Sequence, residues 1–265
     1  MVNEFSKDKV WAIILGGSRG LGLATAKKLA AHGMNICIVH RDPRTKLPEF
    51  ILECEALRTH GVEVLTFNMD ATKREKQDLI CTALKKKIGQ KGRVKLLLHS
   101  IAKGNVKPMA SEEVANLSHQ DFMVTLDAMA ISLYDWTRRC VDAKLFDSDA
   151  RVLSFTSEGS KKPWVHYAAV GAAKAALEAV TRSIALEFAL FGIKANCIQA
   201  GVTDTQSLAL IPNSDAIKKY TKKRNPLSRL TRPEDVANVV YLLCKKEAFW
   251  INGTIIPVDG GEHLS

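Results

Sequence analysis

Tyr167 and Lys174 stand in HYAAVGAAK, a stretch otherwise made mostly of small, apolar residues. A free phenol has a pKa of about 10. A nearby ammonium favours its ionised form and makes it a better proton donor, so such a pair could serve an oxyanion on a substrate. Seven steps along a regular helix return to nearly the same face, but about two turns, roughly 10 Å, further on. Two groups serving one oxygen cannot easily both reach it from such a helix. The spacing therefore predicts Tyr167 just before the regular helix or in its first turn, with Lys174 inside it. Gly171 and the alanines would leave room for a ligand to approach the backbone. Ser157, ten residues before Tyr167 in the turn SFTSEGS, is placed to hydrogen-bond a substrate carbonyl. The same residues also suit a plain helix with a capping tyrosine and a snorkelling lysine, and an ordinary turn serine.

A second motif weighs against the plain reading. LGGSRGLG supplies Gly16, Gly20 and Gly22, with Ser18, Arg19 and Leu21 between them. It follows the apolar run VWAIIL and opens the helical GLATAKKLAAHG. A glycine turn between strand and helix lets backbone N–H groups approach a pyrophosphate at the helix N-terminus. The next apolar run ends in VHRD. Arg41 there and Arg19 in the turn suit a ribose 2′-phosphate, or they are simply solvated; Asp42, one or two positions late, keeps a 2′-hydroxyl contact open. Asp70 and Ala71 in NMDA, and Ser100, Ile101 and Ala102 in HSIAKG, follow further apolar runs and join the candidate cofactor site.

These groups need elements to hold them. Apolar runs at 10–15, 35–40, 62–69, 93–99, 150–156, 193–199 and 253–261 read as strands. Helical patterns lie between them: after Gly20 to Gly33, at 48–60, 73–88 and about 118–145, from Tyr167 to near Gly192, and after Pro233. A polar, partly helical segment covers 206–223. Strands buried on both faces and alternating with helices predict an α/β fold, a doubly wound parallel sheet of Rossmann type with helices on both faces. No Pro/Gly/Ser-rich linker or repeat divides the 265 residues, so one domain is expected.

Composition narrows the classes. No apolar run reaches the roughly 18 residues of a membrane span, and MVNEFSKDKV has no apolar signal core. The six cysteines form no CxxC pair, and no His/Cys cluster has metal-ligand spacing, so reduced thiols in a cytoplasmic protein without a metal are expected. The net charge of +10 is scattered and only 6% of residues are aromatic. Nucleic acid is therefore not the expected partner; an acidic cofactor or acidic protein fits as well.

The ordered set Gly16-x3-Gly20-x-Gly22, Asp70, Tyr167/Lys174, NCIQAGVTDT and VDGG resembles the short-chain dehydrogenase/reductase superfamily over nearly the whole chain. Commoner members carry Tyr-x3-Lys. Tyr-x6-Lys, LLHSIA and KAALEAVTRSIALEF are similar to the enoyl-acyl-carrier-protein reductases within it. GGSRGLG and GTIIPVDGG are most similar to the divergent NADPH-using ones. The resemblance implies reduction of trans-2-enoyl thioesters in fatty-acid synthesis with NADPH, NADH being compatible. It implies Tyr167 at the substrate oxygen, Lys174 on the nicotinamide ribose, Ile198 and Val202 by the nicotinamide and Thr205 near its carboxamide or the phosphates. A homo-oligomer, in particular a tetramer built on the helices at 118–145 and 167–191, is also implied. There are departures. Leu15 replaces a common Thr, Ser157 stands where many enoyl reductases have a second tyrosine, and Asp127 takes the place of a structural Asn on the long helix.

Residues 216–232 carry Lys218, Lys219, Lys222, Lys223, Arg224, Arg229 and Arg232. They fall in and beyond a lid segment expected at about 203–228, with LALI (208–211) as a candidate acyl-tunnel wall. They could dock an acidic acyl carrier protein or form a solvated helix face. Two rivals remain: a 3-oxoacyl or other carbonyl reductase of the same superfamily, and a non-catalytic cofactor- or nucleic-acid-binding regulator.

Overall fold

A computed structural model describes residues 4–6, 9–89 and 92–265. Seven strands form one parallel sheet in the order β3-β2-β1-β4-β5-β6-β7. They are β1 (Val10–Leu15), β2 (Asn35–His40), β3 (Val64–Asn68), β4 (Arg93–His99), β5 (Phe146–Thr156), β6 (Ile193–Ala200) and β7 (Ile255–Val258). The helices are α1 (Gly20–Ala31), α2 (Leu47–Arg58), α3 (Arg74–Ile88), α4 (His119–Leu126), α5 (Ser132–Asp142), α6 (Ala168–Glu187), the short α7 (Gln206–Ala209), α8 (Ser214–Arg224) and α9 (Pro233–Cys244).

Side-chain alternation along the strands builds two cores. Ala12 and Ile14 of β1, with Ile36, Ile38, Leu96, Leu98 and Leu153, pack on Leu29 of α1, Phe50 of α2 and Val240 of α9. Trp11, Ile13 and Leu15, with Val39, Leu97 and Val152, pack on Leu84 of α3, Trp136 of α5 and Leu177 of α6. This is the doubly wound architecture expected. The edge strands β3 and β7 are only partly buried, because each has a neighbour on one side.

Several boundaries differ from the expectation, three of them informative. β5 begins at Phe146 rather than 150. Its first half is polar because Asp149 gathers Lys95, Arg151 and Lys194 around it. The helix expected at 118–145 is two helices joined by a π turn at Asp127–Ile131. The helix expected from Tyr167 to Gly192 stops at Glu187, and a 3-10 turn carries the chain to Gly192 in the left-handed region.

The strand order reverses between β1 and β4. Carboxyl ends of strands at such a reversal leave a crevice for ligands. Gly16, φ +82°, lies here, and a Cβ on it would stand 2.5 Å from the Ser100 carbonyl oxygen. Glycine is thus required for the β1 turn and the β4 turn to meet.

Candidate active site

The crevice is a cleft of about 1140 Å³. Gly16, Ser18, Arg19, Gly20, Leu21, Arg41, Asp70, Ala71, Ser100, Ile101, Ala102, Val202 and Thr205 line it, together with Ser157, Tyr167 and Lys174. All but two of the sequence-derived residues are therefore brought to one place. Gly22 is not on the wall; its Cβ would stand 2.4 Å from the Gly16 carbonyl oxygen, so it serves the turn's own packing. Ile198 lies in the core between β6 and the α1/α9 layer, away from the cleft.

The glycine turn is ready for an anion. Arg19 occupies the α1 N-cap with no side-chain hydrogen bond to the first turn, so no capping side chain takes the amides that point at the cleft. Arg19 instead spans two partners, the Asp42 carboxylate and the Gln206 side chain at the start of α7. Asp42 is buried and also meets His40 Nδ1 at 2.9 Å. Burial alone would raise its pKa, but hydrogen bonds from Ser18 and Arg19 outweigh it and hold the carboxyl low. Arg41 is exposed and 3.1 Å from Asp70, which also accepts from the amide and hydroxyl of Thr72.

Tyr167 is the N-cap of α6, with non-helical φ −108° and ψ 6°, and Lys174 lies inside the helix. The seven-residue gap is thus accommodated as the spacing requires. Left-handed backbone at His166 (φ 65°) turns the chain into this position. Gly171 does not open space for a cofactor. Its Cβ would stand 2.7 Å from the Gly159 carbonyl oxygen, and a Cβ on Gly159 would stand 2.6 Å from the Tyr167 ring. The two glycines let the turn after β5 press onto α6 and the phenol. Ser157 Oγ is 3.4 Å from Tyr167 Oη.

The π turn completes this wall. It sends Ala128 and Met129 inward against Val170 and Ala173 of α6 and leaves Asp127 exposed. Asp127 therefore does not stand in for a structural Asn at the site. Ser132 just after the turn donates to the Ala128 carbonyl and meets His99 Nε2 at 2.8 Å. Such turns recur at functional sites.

Burial sets the protonation states. It raises the Tyr167 phenol, against a smaller lowering by Ser157, so Tyr167 is a protonated donor at neutral pH. Lys174 is not among the groups that shift the phenol; its ammonium donates instead to the Phe155 carbonyl at 2.5 Å. Burial lowers Lys174 to about 8, with Cys197 and Glu178 opposing. Burial and the Lys174 charge push His99 down to about 3, so it is neutral.

A profile of the Enoyl-(Acyl carrier protein) reductase family matches residues 16–263. The chain belongs to this short-chain dehydrogenase/reductase family. With that membership comes NAD(P)-dependent oxidoreduction, and the uncapped α1 terminus and the Gly16 approach fit a dinucleotide. The chain is 28% identical over 254 residues to enoyl-[acyl-carrier-protein] reductase [NADH] 1 of Rhizobium meliloti, covering 95% of this chain and 89% of that one. It is 27% identical over 263 residues to a tropinone reductase homolog of Arabidopsis thaliana, covering 99% and 94%. The fold matches that of a Bacillus cereus enoyl-acyl carrier protein reductase solved with NADP+, with a TM-score of 0.86 at 24% identity over 100% of this chain and 99% of that one.

Sequence reasoning missed Gln206, Glu158 and Glu262, which touch the site only through the fold. It also missed the neutral His99, whose only mark was its place in LLHSIA.

The Lys174 value has a measurable consequence. Its folded pKa lies below that of an ordinary lysine, so the cost of burying the ammonium is fully present below about 8 and fades as pH rises beyond it. In lysine side-chain NMR of the cofactor-free protein, the signal lost in Lys174→Arg should titrate near about 8. Titration in the ordinary lysine range would contradict this environment.

Proposed function

We propose that the protein is an enoyl-acyl-carrier-protein reductase, reducing trans-2-enoyl thioesters with NADPH or NADH. The observation that carries this reading is Tyr167 as the α6 N-cap with Lys174 seven residues on inside the helix, both on the cleft wall. When bound, the nicotinamide cofactor would supply the hydride for C3 of the enoyl thioester. The electron pair of the C=C bond would then pass to the thioester oxygen as an enolate, and a proton taken from solvent at C2 would restore the C=O bond and complete the saturated thioester. Tyr167, kept protonated by burial, donates a hydrogen bond or its proton to that oxygen. Lys174, fixed to Phe155, holds the cofactor ribose with its remaining donors. Met129, Val106, Val170, Trp164 and Leu208 offer an apolar wall for an acyl chain.

For the cofactor's adenosine end, Arg19 and Arg41 are the 2′-phosphate groups of this reading. The buried Asp42, held by Arg19, keeps a 2′-hydroxyl contact available. The segment 203–228, with α7 and α8, is read as the lid.

A second reading has its own support. Ser157 Oγ beside Tyr167 Oη suits polarisation of a ketone, so a 3-oxoacyl or other carbonyl reductase is the rival. A relative named as a tropinone reductase homolog is in keeping with it.

The carrier-docking set narrows. Lys218 pairs with Asp204, Arg224 is buried among carboxylates, and Arg229 pairs with Asp235. Lys219, Lys222 and Lys223 on α8, with Arg232, remain exposed for an acidic carrier protein. A homo-oligomer is proposed on the outward Tyr134, Leu186 and Leu190 of α5, α6 and the turn that follows.

Crotonyl and acetoacetyl thioesters, each offered with NADPH and with NADH, separate the readings. Cofactor oxidation with the crotonyl substrate is expected, and Tyr167→Phe should lower kcat by about a hundredfold or more. Turnover of the keto substrate alone would reject the enoyl reading.

Docking is checked separately. Lys219→Glu with Lys223→Glu should raise the apparent KM for carrier-linked substrate about fivefold or more and spare the coenzyme A analogue. Equal effects on both substrates would reject carrier docking at α8.

A further inference from the structure

Arg224, the last residue of α8, is the one cation of the basic segment turned fully inward, with 8% of its side chain exposed. Its Nη2 donates at 2.5 Å to Glu158 and at 2.7 Å to Glu262, whose own side chains are 15% and 3% exposed. Its Nη1 reaches Glu158 Oε1 at 3.4 Å and the Ser265 carbonyl at 3.2 Å. Tyr220, one turn back on α8, and Trp164 lie 5.5 and 6.0 Å from the guanidinium. A lysine cannot reproduce this planar fork between two carboxylates.

Each carboxylate leads to a different side of the cleft. Glu158 directly follows Ser157 and precedes Gly159, whose missing side chain admits the Tyr167 ring. Lys162 makes a second ion pair with it at 2.6 Å. Glu262 accepts the Val202 amide at 3.1 Å through its other oxygen, and Val202 lies on the cleft wall after β6. One guanidinium therefore joins α8, the Ser157 turn and the Val202 loop.

We propose that Arg224 is a positioning residue that aligns the two sides of the Tyr167 site when α8 seats over it, acting through Glu158 on Ser157 and through Glu262 on Val202. This rests on the reading that Tyr167 and Ser157 act on a substrate oxygen. Removing the guanidinium leaves two buried carboxylates without their shared partner, a costly arrangement that would push the segments apart.

The test compares Glu158→Gln, Glu262→Gln, Arg224→Met and Arg224→Lys in the cofactor-loaded protein. Amide hydrogen exchange is followed alongside kcat and KM for the crotonyl thioester. Glu158→Gln should speed exchange at 157–160 and leave 201–203 unchanged; Glu262→Gln should do the reverse; Arg224→Met should speed both. Arg224→Met should lower kcat roughly tenfold to a hundredfold while KM stays within about twofold, and Arg224→Lys should restore part of kcat. Equal loosening of both segments in every variant, or no loosening in any, would overturn the proposal. So would wild-type kcat in Arg224→Met despite faster exchange. The two Glu→Gln variants carry the test if Arg224→Met does not fold. If the wild-type chain fails to reduce the crotonyl thioester, the enoyl reading falls, and the segment-specific exchange still decides whether Arg224 links the two sides.

Discussion

The bond from the buried Lys174 ammonium to the Phe155 carbonyl ties α6 to the end of β5, and the site depends on that tie. An ammonium is expensive to bury unless it is hydrogen-bonded, so the helix has one favourable seat on the strand. The strand end that accepts the bond leads directly into the Ser157 turn. The helix that donates it carries Tyr167 at its cap. One interaction thereby sets the approach of Ser157 to Tyr167, the groups proposed to meet a substrate.

Close packing enforces the same geometry. Gly159 and Gly171 remove the side chains that would hold the turn off the helix. The π turn behind them pushes Ala128 and Met129 against α6. Farther out, Arg19 links the Asp42 side of the cleft to Gln206 of α7, while Arg224 links α8 to Glu158 beside Ser157 and to Glu262. The segment proposed as a lid is thus fastened to the cleft at two places, through Arg19 and through Arg224. A seated lid would hold both halves in register and limit the access of water.

Much of this was legible in the sequence where one physical demand dominated. Strands buried on both faces read as unbroken apolar runs, and β1, β2 and β4 fall on the residues those runs mark. The seven-residue Tyr–Lys gap required a tyrosine outside the regular helix, and Tyr167 is there. Other features depend on partners distant in sequence. Nothing in AIKKYTKKR distinguishes Arg224 from its neighbours; Glu158 and Glu262, 66 and 38 residues away, turn it inward. The polar start of β5 reads as loop because its charges are satisfied by Lys95 and Lys194 from adjacent strands. The π turn leaves no mark in composition, so nothing in the sequence showed that Asp127, in the place of a structural Asn, faces solvent. Gly171 was legible as a place of close approach, but not as to what approaches.

The central claim is that this site directs hydride to a carbon–carbon double bond, with Tyr167 serving the oxygen two bonds beyond. Reduction of a crotonyl thioester with cofactor deuterated at the transferred position, followed by NMR of the product, tests it most directly. The account predicts deuterium at C3 of a saturated butyryl thioester. An unlabelled, unreduced crotonyl thioester, together with deuterium on the carbinol carbon when acetoacetyl thioester is supplied, would contradict it.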